Sequence, residues 1–494
     1  MHADRTALSA APARIRYFWN RLRLAVVGQD RGPWLILAVC LLLIPLSLPR
    51  VALSDEVQYF AYLRSLYFDG DLDFRNEYTY FAEQGRRFGD EAVANALLRE
   101  DANNPNPVTG LLRNVAPVGA AILWAPGFVL ADLFVVSANL FGAAIPRDGY
   151  ARPYLVAIGL MTVLYTLLGL QLTYRLARRY SDDFAATVAT LTVFLASPLV
   201  FYTYLAMPWS HAPGFFLFAL FLSIWMRDWG RAADRSLATW LGLGLVGGLM
   251  IMTREQLGLL LIIPALEALG HYVGLLRQRA WPTLFRQLGH HLAFLATLAV
   301  SVTPQLLAYQ ILNGQPTPSA TVASKLDWTS PNLLNTLFDP GRGAFLWSPV
   351  LALGLLGLAW LAQRNWRLAL LLLAGFLAQS YINGAFGTTW HLRGAFGFRR
   401  LIECTPIFVI GLAALITWLR PRIGPWPILI GAALLIYWNV GLIAQWTLLR
   451  TELRRELIWE GMVRYQFVEV PTQLIERFGT LLFDRCRLMT NQTC

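Results

Sequence analysis

The sequence predicts an all-α polytopic membrane protein, a bundle of about eleven transmembrane helices with a helical first outer loop. Three observations predict it. Of 494 residues, 56% are hydrophobic and only 14% are charged, and the mean hydropathy is +0.47. Apolar runs of about 18 residues or more recur along the chain, and each can cross a hydrocarbon core of roughly 30 Å. The basic residues fall in short gaps between those runs, as cytoplasmic loops require. A formal charge of +11 could suit nucleic acid, but no aromatic-basic RNA motif accompanies it, so nucleic acid is not an expected partner. Lys325 is the only lysine, an arginine bias that GC-rich coding alone can produce.

The N-terminal segment 1–33 carries Arg5, Arg14, Arg16, Arg21 and Arg23 and is expected in the cytoplasm. The following run, "WLILAVCLLLIPLSL", reads as a retained first span over 34–48 and not as a cleaved signal. A long outer loop, 49–152, comes next. The remaining spans are expected at 153–174, 184–204, 212–226, 237–253, 256–275, 288–311, 346–362, 368–385, 401–419 and 426–448. Their arginine-rich gaps start at Arg175, Arg227, Arg277, Gln363 and Arg420 and alternate correctly with this count. The bundle therefore covers 34–449, and 450–494 forms a short outer tail.

Residues 115–141 disturb the count. They are long enough to span, yet a crossing there inverts every later loop. Pro117 and Pro126 are expected to break the helix, so the segment is read as entering from outside and returning. Cysteine usage adds little. Cys40 and Cys404 lie in or beside apolar spans, Cys486 and Cys494 lie in the tail, and there is no CxxC.

The stretch "SDEVQYFAYLRSLYFDGDLDF" sets five acids just outside the first span. Asp55 and Glu56 open a helix that Ser54 can cap, and acids in a first turn suit the helix dipole. A carboxylate partly shielded by apolar surroundings can equally serve as a general base. Asp69, Asp71 and Asp73 alternate, so an extended backbone puts them on one face as a candidate divalent-cation site; as a turn they are simply solvated. In "MPWSHAPGFFLFAL", His211 sits where a span meets the outer surface, facing either a cavity or an aromatic belt. Arg254 occupies an outer turn that the positive-inside rule does not explain; a contact with Glu255 or a phosphate does. "GTTWHLRGAFGFRRLIE" joins Arg393, Arg399 and Arg400 to a glycine-rich backbone, and Arg342 lies in another outer turn, "GRG". Guanidinium groups beside flexible glycines suit phosphate or pyrophosphate, or lipid headgroups.

On these residues the chain resembles the GT-C superfamily of membrane glycosyltransferases, notably the branch of protein O-mannosyltransferases and lipid A aminoarabinose transferases. The resemblance is carried by "SDE" after the first span, "APVGAAILWAPGF", "SPLVFYTYLAMPWSHAPGFFLFAL", "GRGAFLWSPVLALGLLGL" and "WHLRGAFGFRRLIECTP", across roughly 34–420. It implies a GT-C-like bundle in a bacterial inner membrane. It also implies sugar transfer, with inversion, from a polyprenyl-phosphate donor on the periplasmic side, with Asp55 as base. The His-Pro-Pro pattern of the mannosyltransferases is missing from "RNVAPVG", and no large C-terminal domain follows. A glycolipid or glycan acceptor is therefore expected in place of protein. The competing class is a transporter or flippase of lipid-linked sugars, which predicts charges near the midplane and an internal repeat.

Overall fold

A computed structural model of the chain describes residues 30–87, 105–231, 234–329, 331–392, 394–449 and 459–483. The N-terminal arginines, Arg393, Cys486 and Cys494 lie outside the described residues. Within them the chain is helical, and extended pairing is limited to two isolated bridges, Pro49 with Met207 and Leu326 with Phe386.

The first loop holds α2 (Ser54–Arg64) and α3 (Arg75–Arg87), after α1 (Gly32–Leu43) and its tighter last turn, Ile44–Leu46. Then follow α4 (Gly119–Leu140), α5 (Arg152–Arg178), α6 (Asp183–Leu195), α7 (Pro198–Tyr204), α8 (His211–Trp225) and α9 (Leu237–Thr253). The second half has α10 (Ile262–Arg277), α11 (Trp281–Asn313), α12 (Pro349–Ala385), α13 (Thr405–Ile423) and α14 (Pro425–Ala444). Among the described residues seven helical stretches are long and apolar enough to cross a membrane, and the pair α6–α7, bent by 67°, makes an eighth. Shorter apolar helices, α1, α8 and α9, complete the set.

The longest helix is really a hairpin. Asn365 leaves the helical region at φ −151° and ψ 80°, and its side chain accepts from the Leu368 amide at 3.2 Å, capping the second half. Gly354 packs directly on the backbone of Phe408, and the Phe376 ring lies 5.7 Å from the Phe408 ring. Residues eleven before and eleven after the break thus meet one level of α13. The two expected spans 346–362 and 368–385 are its arms, and each expected span has a helical counterpart.

Two ends of the bundle can be told apart by their contacts. At one end, Asp183 accepts from the amides of Arg31 and Gly32 at 3.0 Å each, Arg178 pairs with Asp30 at 2.7 Å, and Arg420 pairs with Asp182. This end collects the arginine-rich gaps. At the other, the Leu48 amide donates to Tyr204 at 2.8 Å, and Pro49 and Met207 close on Gly159. Helices approach closely in between: a Cβ on Gly357 would lie 1.9 Å from the Gly411 carbonyl, so only glycine fits there.

The segment 115–141 forms α4, one continuous helix; the expected break at Pro126 does not occur. Proline is tolerated because neighbouring side chains can take up backbone groups near it, and the Tyr165 hydroxyl donates to the Leu123 carbonyl at 2.7 Å. Gly119 rests on the backbone of Met252 and Thr253, at the end of α9 that leads into Arg254. The helix then runs antiparallel to the first half of α5, where Tyr154 donates to Asp132 at 2.7 Å. It also packs on α2, with Tyr59–Trp124 and Phe60–Phe128 ring centroids 6.2 Å apart. Its first turn therefore meets the end of α9, and its later turns meet the start of α5. Its 22 residues are long and apolar enough to cross a membrane.

Candidate active site

Helix α2 starts differently from the sequence expectation. Leu53 is the N-cap, so Ser54 is already inside the first turn. The capping is done by Glu56, which reaches back to accept from the amides of Ala52 and Leu53 at 2.8 and 3.0 Å. Its other oxygen accepts from the Trp209 indole at 2.6 Å. Glu56 is 3% exposed, and burial pushes its carboxyl up to about 7 against those hydrogen bonds. Its neighbour Asp55 points the other way. That carboxylate is 44% exposed and takes one bond from Arg399, at 2.9 Å.

Arg399 is fixed from two sides. Its guanidinium carbon lies 4.3 Å from the centre of a Trp209 ring, and the same indole is held by Glu56. The two adjacent acids thus act on one arginine, Asp55 directly and Glu56 through the tryptophan. Arg400 stacks on Phe386 at 4.6 Å and donates to the carbonyl and hydroxyl of Thr389 at 3.3 and 3.2 Å.

Beneath this pair lies a buried network. Glu403 accepts from Arg254 Nε at 3.1 Å and lies 2.9 Å from His211 Nδ1. Arg254 Nη1 donates to Ser210 at 3.3 Å and sits 3.5 Å from His211 Nε2. A guanidinium can only donate, so His211 presents a bare Nε2 to it and carries its proton on Nδ1, toward Glu403. The Ser210 hydroxyl donates in turn to Tyr59 of α2 at 2.9 Å. Arg254 leaves α9 in an extended conformation, φ −157° and ψ 115°, which breaks the helix and turns the side chain inward.

Above the network opens a cavity of about 330 Å³. Asp55, Arg254, His391, Arg399 and Arg400 line it, and Lys325 joins them from the loop after α11. Val115, Ala116 and Pro117, at the approach to α4, form an apolar wall. The arrangement offers an exposed carboxylate, Asp55, and a second acid, Glu255, facing several cations beside an apolar surface. It can take up a proton while holding an anion next to a hydrocarbon chain.

The remaining sequence candidates fall elsewhere. Arg342 is 1% exposed, donates to the Ala395 and Gly341 carbonyls at 2.8 and 2.6 Å, and stacks on Trp347 and Trp446. It braces the loop that carries Arg399 from behind. Asp69 binds Arg64 and Asn76, Asp71 accepts from Ser65 at 2.8 Å, and Asp73 accepts from the Arg75 amide at 3.2 Å. Each acid of that turn serves its own backbone or a neighbouring side chain. Among the described residues no three His, Cys, Asp or Glu side chains group so as to hold a metal ion. Glu255, the expected partner of Arg254, instead accepts from Tyr309, and the acid on Arg254 is Glu403.

Sequence reasoning missed Glu403, Trp209, Tyr59 and Lys325. Glu403 had a readable signal, since an acid one residue before the apolar run of α13 is costly unless paired. Trp209 and Tyr59 had none, because aromatic residues are common wherever a helix meets the membrane surface.

No protein-family model matches the chain, and no characterised protein matches its sequence. Among solved structures the chain is similar to the crystal structure of ArnT from Cupriavidus metallidurans in the apo state. The identity is 15% and the TM-score 0.45, over 92% of this chain and 76% of that one.

Proposed function

We propose that the chain is a membrane glycosyltransferase of GT-C type, moving a sugar from a polyprenyl-phosphate donor to a glycolipid or glycan acceptor. One observation carries this reading: Asp55 is exposed to a cavity shared with Arg254, Arg399 and Arg400, at the end of an apolar helical bundle. Asp55 takes the proton of the acceptor hydroxyl. The acceptor oxygen forms a bond to the sugar carbon as the bond from that carbon to the phosphate oxygen breaks, and direct displacement inverts the sugar. The arginines hold the phosphate, and the bundle shelters the polyprenyl chain. The Asp55–Arg399 pair then has a natural role. An arriving phosphate draws Arg399 from Asp55, and the freed carboxylate becomes the base.

The arginine-rich end of the bundle is read as cytoplasmic and the cavity end as periplasmic, with the N-terminus inside and α4 not crossing. After replacement of the native cysteines, Asp148→Cys should react with a membrane-impermeant reagent on intact cells and Asp228→Cys should not. The reverse pattern would overturn this orientation. The activity is tested with purified protein in vesicles, a polyprenyl-phosphate sugar and extracted envelope glycolipids, the products being read by mass spectrometry. Sugar attached to an acceptor supports transfer. Donor moved across the bilayer with its sugar intact would instead establish a flippase.

A further inference from the structure

Lys325 is one lysine in a combined Lys and Arg count of 41. Its backbone is pinned over the cavity. The Gly387 amide donates to its carbonyl at 2.8 Å, the Asp327 amide donates to Ala385 at 2.7 Å, and Leu326 pairs with Phe386. These bonds tie the loop to the end of the α12 hairpin, and the Lys325 side chain lines the cavity. The neighbouring arginines are already engaged, Arg399 by Asp55, Arg254 by Glu403 and Arg400 by Thr389. The Lys325 side chain makes no hydrogen bond or ion pair with any described residue. It is a compact, rotatable charge on a flexible stem, in a cavity where the planar forks are occupied.

We propose that Lys325 binds the leaving phosphate of the lipid donor, acting most strongly as the bond from sugar to phosphate breaks. The proposal rests on the transferase reading above. The donor is a phosphodiester with one negative charge. When the sugar carbon passes to the acceptor oxygen, the electron pair of the broken bond stays on phosphate, and the polyprenyl phosphate leaves as a monoester with further negative charge. The acceptor proton has gone to Asp55. An uncommitted cation gains interaction along this path, which is how binding becomes rate.

Because the lysine is unique, an amine-reactive probe read by peptide mass spectrometry reports on this site separately from the N-terminal amine. In detergent, polyprenyl phosphate at ten times its dissociation constant should slow labelling of Lys325 about tenfold. Unphosphorylated polyprenol should not slow it. Equal labelling with and without the phosphate, or equal protection by the polyprenol, would overturn the proposal. In turnover, Lys325→Gln should lower kcat about tenfold with a smaller change in donor KM, and Lys325→Arg should restore most of it. A rise in KM alone would make Lys325 a ground-state binder and overturn the leaving-group role. Labelling needs no activity. Protection without sugar transfer leaves the phosphate site standing and removes the transferase reading, whereas transfer without protection removes only Lys325.

Discussion

The first loop contains two acidic stretches of similar composition and opposite fate. Asp69 closes a π-helical turn, Asp71 and Asp73 follow it, and the three spend their oxygens on Arg64, Asn76, Ser65 and the amide of Arg75. Asp55 sits on the second residue of α2, where its neighbour Glu56 has taken over the cap. Because the cap is satisfied, Asp55 is free to face the cavity and Arg399. An acid is thus available for chemistry where an adjacent group already meets the local backbone, and unavailable where it must do so itself.

The comparison breaks most visibly at Asp55. Asp55→Asn should lower turnover about 10²-fold or more while donor affinity changes little. Near-normal turnover would return the base role to Glu56 or the Asp69–Asp73 turn. A smaller effect is expected from the cations. Arg254→Lys, Arg399→Lys and Arg400→Lys keep charge but lose the fork, and titration with a polyprenyl-phosphate donor should show about tenfold weaker binding for at least one. If all three bind normally, these arginines are only structural.

The acids of the other stretch make opposite predictions. Glu77 is fully buried beside Arg64 at 2.9 Å, and burial, opposed by that arginine, pushes its carboxyl from 4.5 up to about 7. An acid raised on folding holds its proton more tightly in the native state. The stability it contributes is complete below about pH 4.5 and is lost as pH rises through about 7. Thermal unfolding of the wild type should therefore fall across that window, and Glu77→Gln should flatten the fall. The smallest effect belongs to Asp71→Asn, which should leave turnover within about twofold, since an exposed turn acid is expected to matter little. A loss matching that of Asp55→Asn would restore the acidic turn to the site.

The membrane class and the spans were legible in the sequence, because apolar runs and arginine-rich gaps report a solvent boundary that every residue feels separately. The QRNWR gap thus marks the α12 hairpin turn at Asn365. Asp55, Arg254, Arg399 and Arg400 were also legible, being charges at the ends of apolar helices, where charge is costly without a task. The sequence could not decide between neighbours. Asp55 and Glu56 differ by one methylene and one position, and only the path of α2 turns one to the cavity and the other to Trp209. Pro126 looked like a break, and only the packing of α4 on α5 shows why the helix continues. Arg254 lies beside Glu255 in sequence but binds Glu403 across the bundle. Pairing between distant residues depends on how helices cross, and helix crossing is set by side-chain packing summed over whole faces, which no local stretch of sequence contains.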